Sequence, residues 1–111
     1  MHKSLRTHLD ISTANVTAND LDLLEVDADN DRGPDAPGAT IPNVNYEYGA
    51  IIFVLHYDND ADRKEHILDV VNAGYSSAMV KVIKLAWKLD AAMVRLDRDA
   101  DLCPDLDDCS G

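Results

Sequence analysis

Apolar positions in this chain alternate in some stretches and recur every three or four residues in others, and these two periods divide it into elements. Residues 8–14, His-Leu-Asp-Ile-Ser-Thr-Ala, alternate with Leu9, Ile11 and Thr13 on one side, which predicts a short strand. Thr17-Ala18-Asn19-Asp20 then reads as a capping box, a hydroxyl three residues ahead of a carboxylate. It opens a short helix whose apolar residues are Leu21, Leu23, Leu24 and Val26. From Asp27 to Asn45 the pattern collapses. Gly33, Pro34, Pro37, Gly38 and Pro42 interrupt an acidic stretch that reads as a loop. Residues 50–57 are nearly continuous in apolar and β-branched side chains, predicting a central strand buried on both faces.

The second half is helical before it returns to a strand. Asn59 is the expected N-cap of a helix running to about Asn72, with Asp60 and Asp62 in the first turn and Ile67, Leu68, Val70 and Val71 facing inward. Gly74 stops that helix as a C′ glycine. Ser76 or Ser77 caps the next, which runs to about Leu89 and is apolar over most of its circumference. Lys81, Lys84 and Lys88 form its one solvated stripe. Residues 92–97 alternate as a last strand, Ala92, Val94 and Leu96 opposite Met93, Arg95 and Asp97. Residues 98–111 follow as an acidic, unpatterned tail. The expectation is one α+β domain spanning 1–111, with a small three-stranded sheet covered by about three helices in the order β-α-β-α-α-β.

Charge narrows the function classes more than the pattern does. Ten Lys and Arg stand against twenty-one Asp and Glu, a net charge of −11. That exceeds the roughly 2–8 units usual for a small domain. A field of this sign repels phosphates, so neither direct nucleic-acid binding nor attachment to an anionic membrane is expected. Glu occurs only at Glu25, Glu47 and Glu65. The rest of the acid is Asp, which favours caps, turns and loops over helix flanks. The basic N-terminus, Met1-His2-Lys3-Ser4-Leu5-Arg6, leads into no apolar run, so no signal peptide is expected. Nor does any segment approach the ~20 apolar residues of a membrane span. With Cys103 and Cys109 read as free thiols, the cytoplasm is the expected compartment.

Candidate chemistry adds little. Asp-x-Asp-x-Asp occurs at Asp27, Asp29 and Asp31, at Asp58, Asp60 and Asp62, and at Asp97, Asp99 and Asp101. A calcium loop of the EF-hand type places acids this way but needs glycine at its sixth position, where Arg32, Arg63 and Leu102 stand. Solvated acidic loops are the better reading. The histidines lack paired-ligand spacing; His66 reads as a surface ion-pair partner of Asp62 and Asp69, and His56 as a satisfied histidine at a sheet edge. Ser76 and Ser77 read as caps, since no nucleophile-elbow glycines surround them. No catalytic residue, metal or cofactor is expected, and the chain does not read as an enzyme.

Four strings carry a resemblance: Ile11-Ser12-Thr13-Ala14-Asn15-Val16-Thr17, Tyr46-Glu47-Tyr48-Gly49, Ala73-Gly74-Tyr75-Ser76 and Arg95-Leu96-Asp97-Arg98-Asp99. In that order, over roughly residues 9–101, the chain resembles a family of short uncharacterised proteins from bacterial phages, plasmids and mobile elements, a domain of unknown function. Asn15 stands where that family usually shows His, and Ala50 where an aromatic is usual. The resemblance implies a mobile-element context and no activity. Combined with the charge, it points to an acidic binding protein of the anti-CRISPR or anti-restriction type. Such a protein would inhibit a host defence or nucleic-acid-processing protein by occupying its basic nucleic-acid-binding surface. The carboxylates expected to make that contact are Asp58, Asp60, Asp62, Asp97, Asp99, Asp101, Asp105, Asp107 and Asp108. The alternatives are a salt-adapted acidic protein of unrelated role and a calcium-binding module using the Asp triplets.

Overall fold

A computed structural model of the chain describes residues 7–30 and 40–109. Four strands and three α-helices build an α+β sandwich: β1 (Thr7–Ser12), α1 (Ala18–Asn30), β2 (Asn43–Tyr46), β3 (Gly49–Phe53), α2 (Asp60–Asn72), α3 (Ser77–Lys88) and β4 (Ala91–Asp97). A single 3-10 turn, Thr13–Asn15, joins β1 to α1. The sheet order is β1-β4-β3-β2, with β1 parallel to β4 and the other neighbours antiparallel. Three strands were expected and four are present. The added one is β2, whose short polar string Asn-Val-Asn-Tyr lies inside the stretch read as a loop.

All three helices cover one face of the sheet. Ile11, Ala50, Ile52, Val94 and Leu96 from the strands form a continuous core with Leu24, Val70, Met79, Val82, Ile83 and Ala86 from the helices. The opposite face carries Val44, Phe53 and Met93, each more than a third exposed. Residues 50–57 are therefore not buried on both faces: β3 is an inner strand with one open side, and it ends at Phe53. Antiparallel pairing tolerates this because such sheets need cover on only one face. In β4, Ala91 and Val94 both point inward because Ala92 is an extra residue in the pairing with β1, between Ala91 opposite Thr7 and Met93 opposite His8.

The caps stand where the sequence places them. Thr17 and Asp20 exchange both bonds of the capping box at 3.0 Å. The Asn59 side chain accepts from the Asp62 N–H at 2.8 Å, and the Ser76 hydroxyl accepts from Met79 N–H. Gly74 adopts φ 104° just past α2. Four side chains point otherwise than expected. α1 continues through Asp27 to Asn30 with Val26 turned outward, 54% exposed. On α2, Leu68 and Val71 face solvent while His66 turns in, so it is no surface ion pair. The His66 ring packs on Tyr57 and Trp87, at 5.4 and 6.1 Å between centroids. Burial pushes its imidazole below the usual range, against the pull of Asp69. His56 is satisfied as expected, its Nε2 2.7 Å from the Ala91 carbonyl oxygen, but it lies past the end of the inner strand β3 and not at a sheet edge.

What joins the helices to one another is a pair of buried aspartates one heptad apart on α1. Asp20 accepts from Thr17 N–H, from Ser76 N–H at 2.8 Å and from the Ser76 hydroxyl. Asp27 accepts from Thr40 N–H at 3.2 Å, from Ile41 N–H at 3.1 Å and from the Tyr75 hydroxyl. Burial, then the Asp27 carboxylate, drives the Tyr75 phenol far above the usual tyrosine range. Tyr75 thus stays protonated in the folded protein at pH values where the unfolded chain would release its proton, near the ordinary tyrosine value of 10.0. This contribution to stability is complete below pH 10 and is lost as pH rises past it. Tyr75→Phe should cost ~1–3 kcal/mol at neutral pH by leaving Asp27 short of a donor. Denaturant melts from pH 8 to 11 should show the wild type losing stability above pH 10 more steeply than the variant.

Candidate partner-binding surface

β1 and β4 run parallel and finish at the same end of the sheet, Ser12 opposite Asp97. The β2–β3 hairpin turns back at that end, with Tyr46 opposite Gly49 and Gly49 opposite Asp97. The backbones approach so closely here that a Cβ on Gly49 would stand 1.8 Å from the Leu96 carbonyl oxygen. Tyr48 O accepts the Arg98 N–H at 2.9 Å, and the Arg98 guanidinium lies 4.9 Å over the Tyr48 ring. Three of the four strings that carry the family resemblance thus meet at one place, and the fourth supplies Tyr75 and Ser76 to the α1 aspartates.

Asp97 is engaged through both of its carboxylate oxygens. Its Oδ1 accepts the Asp99 N–H at 2.8 Å and its Oδ2 accepts the Tyr46 hydroxyl at 3.0 Å. The Asp99 bond, with Tyr46, Arg95 and Arg98 behind it, holds the Asp97 carboxyl below its usual range. Tyr46 is shifted the opposite way, by burial first and by Asp97 next.

The acidic residues after β4 are not an unpatterned tail. Asn15, fully buried, reads the backbone of that segment with both ends of its amide. Its Oδ1 accepts Cys103 N–H at 2.9 Å, and its Nδ2 donates to Asp107 O at 2.7 Å and to Cys103 O at 3.3 Å. Cys109 N–H donates to Ala14 O at 2.6 Å, and Lys81 reaches the Asp107 carboxylate at 2.7 Å. Cys103 and Leu106 pack against the core. Both cysteines are free thiols, and burial with the neighbouring Asp107 raises that of Cys109. The sequence hid this fold-back because, apart from the Lys81–Asp107 pair, the groups that bond are main-chain atoms and the Asn15 amide.

Of the carboxylates proposed from sequence, Asp97, Asp99, Asp101, Asp105, Asp107 and Asp108 share this end. Asp99, Asp101, Asp105 and Asp108 are exposed. Asp58, Asp60 and Asp62 do not join them. Phe53 pairs with Met93, and Val54 and His56 continue along the start of β4, so the second triplet lies at the far end of the sheet. β4 alone, seven residues long, puts roughly 20 Å between the two ends. The second triplet flanks the Asn59 cap of α2 instead, Asp60 and Asp62 in the first turn, with Asp60 paired to Arg63 at 3.1 Å. In the first triplet Asp27 is buried and Asp29 lies on α1, while Asp31 and Asp35 fall outside the described residues. Sequence reasoning missed Asp22, Glu25 and Glu47. With Tyr46, Tyr48 and Arg98 they line a depression of about 290 Å³ at the acidic end. A helix entered from β1 begins at that end, so parallel β1–β4 pairing places Asp22 and Glu25, while the β2–β3 hairpin places Glu47. Among the described residues no group of three or more His, Cys, Asp or Glu is arranged to hold a metal ion, and no helix is long and apolar enough to cross a membrane.

The model of the "Family of unknown function (DUF5983) C-terminal domain" matches residues 8–109, and the chain belongs to that family. No curated protein and no solved structure matches it.

If Asn15 holds the acidic segment in place, Asn15→Ala should loosen residues 98–109 before the rest of the domain. The amides of Cys103, Leu106 and Cys109 should then exchange with solvent about tenfold to a hundredfold faster, equivalent to ~1–3 kcal/mol. Uniform acceleration across the core would instead mean that Asn15 supports the whole domain.

Proposed function

We propose that this member of the family is an acidic binding protein that docks its carboxylate-bearing end on the basic surface of a nucleic-acid-handling protein and inhibits it. The observation that carries this reading is the clamp of Asn15 on residues 103–107, which ties the segment bearing Asp99, Asp101, Asp105 and Asp108 to the end of the sheet where Asp22, Glu25 and Glu47 line a depression. Carboxylates held in place lose less freedom on docking than carboxylates on a loose tail, and opposite fields speed the encounter. A basic nucleic-acid channel is the natural complement of such an array. In its finer form the partner is a host nuclease of the restriction or RNA-guided kind, met in the cytoplasm of a bacterial cell by a protein of a phage or other mobile element. The reading uses no catalysis, metal or cofactor. Asp58, Asp60 and Asp62 have no part in it.

A pull-down from bacterial lysate tests it, with bound protein eluted by rising salt and challenged with duplex DNA. A basic, nucleic-acid-binding partner should be captured, released by salt and displaced by the DNA. Reversing Asp99, Asp101, Asp105 and Asp108 to Lys should abolish capture, while reversing Asp58, Asp60 and Asp62 should leave it intact. Capture indifferent to the first set sinks the reading.

A second reading is favoured by one observation, that Asp58, Asp60 and Asp62 are exposed at the opposite end, where the docking surface does not reach. Carboxylates at both ends suit a protein whose acidity keeps it hydrated and soluble at high intracellular salt. Its melting temperature would then climb steeply with molar KCl, whereas a mimic needs no such dependence. A melt equally high in dilute buffer removes this alternative.

A further inference from the structure

The α2–α3 hairpin has an electrical character opposite to that of the acidic end. Residues 60–88 carry five of the chain's ten basic residues, Arg63, Lys64, Lys81, Lys84 and Lys88, against four acidic ones, in a protein of net charge −11. Between the two helices lies an open groove of about 560 Å³ with Ile67, Leu68 and Trp87 as its apolar part and Arg63, Lys64 and Lys84 among its lining residues. That volume falls within the roughly 300–1,000 Å³ typical of small-molecule sites. Leu68 is 59% exposed, and Val71, one turn further along α2, is 50% exposed. The Trp87 ring is held by its Nε1–H, which donates to Leu55 O at 2.9 Å. Asp60, the single acid lining the groove, is paired to Arg63 through Nη1 at 3.1 Å. The Arg63 Nε is buried and has no acceptor.

We propose that this groove binds an amphiphilic anion, a ligand with an apolar alkyl or aryl body and a carboxylate or sulfonate head. Ile67, Leu68 and Trp87 would take the body, and Arg63, Lys64 and Lys84 the head. Charge complementarity selects this class. The lining carries three bases against one acid in a chain of net charge −11, so it favours an anionic amphiphile over a cationic one. The Arg63 guanidinium, tied by Nη1 to Asp60, keeps a fixed positive charge at the groove wall. The proposal stands apart from the acidic docking end, since none of its residues belongs to that surface.

Trp87 is the only tryptophan, so its emission reports on the groove directly. The probe is laurate below its micelle concentration, compared with dodecyl maltoside, which has the same tail and a neutral head, and with butyrate, which has the same head and a short tail. Laurate should give a saturable change in Trp87 emission, and both comparison compounds should bind at least about tenfold more weakly. The exposed pair Lys64→Glu and Lys84→Glu should weaken laurate by about tenfold or more while leaving the thermal melt unchanged. Amide shifts on laurate binding should centre on residues 63–71 and 84–88. No saturable response, equal binding of the neutral amphiphile, or full affinity in the double variant would overturn the proposal. So would shifts centred on Val44, Phe53 and Met93 of the open sheet face.

Discussion

Two carboxyl side chains buried inside a 111-residue domain are expensive unless each finds several donors, and the arrangement of α1 is the solution this chain uses. Asp20 and Asp27 lie seven residues apart and so point from the same side of α1. Each collects three hydrogen bonds from uncharged groups. Asp20 has the easier position, in the first turn of its own helix and at the N-terminus of α3, where two sets of backbone dipoles favour an anion. Asp27 lies toward the other end of α1, where the helix dipole opposes negative charge. It depends on Thr40, Ile41 and the Tyr75 hydroxyl instead. These contacts fix the angle of α1 against the α2–α3 turn, and that angle brings Asp22 and Glu25 to the acidic end.

What could be read from the sequence was whatever depends on neighbours along the chain. Thr17 with Asp20, Asn59 with Asp62, Ser76 and Gly74 each complete a cap within a few residues, and each stands where its spacing placed it. β4 and α3 likewise follow from their own periods. What escaped depends on partners far away in sequence. The β2 string Asn43-Val44-Asn45-Tyr46 has too little apolar pattern to read as a strand. It is one because β3 pairs with it and because Asn43, buried, donates to Leu24 O and Ile41 O. Leu68 and Val71 were assigned to the core on hydrophobicity alone. His66 holds the inward position because Tyr57 and Trp87 give its ring a cover that no local rule foretells.

The candidate surface divides along the same line. Six of its carboxylates were legible as an acidic run in the sequence. That the run is folded onto the domain was not, since Asn15 is 88 residues from Cys103 and the bonds between them involve main-chain groups. Grouping Asp58, Asp60 and Asp62 with them required the β3–α2 and post-β4 segments to share an end of the sheet. Antiparallel pairing of β3 with β4 forbids it, because a strand leaving Phe53 moves away from Asp97. A one-dimensional count of charge cannot see this. The sign of the strand pairing decides it.

α3 links the two surfaces of the molecule. Its apolar circumference, with Ala78, Met79, Val82, Ile83 and Ala86 buried, leaves one stripe for solvent, and lysines fill it. A purely solvating stripe would use those residues alike, yet the three differ. Lys81, near the start of the helix, pairs with Asp107 and so helps hold the acidic segment. Lys84, one turn on, lines the groove beside Trp87. Lys88, in the last turn, faces the negative end of the helix dipole. Spacing of three and four residues puts all three on one face, while the rise of ~1.5 Å per residue carries them from one surface to the other. The stripe needed to keep an apolar helix wet thus also separates the acidic end of the protein from its cationic groove.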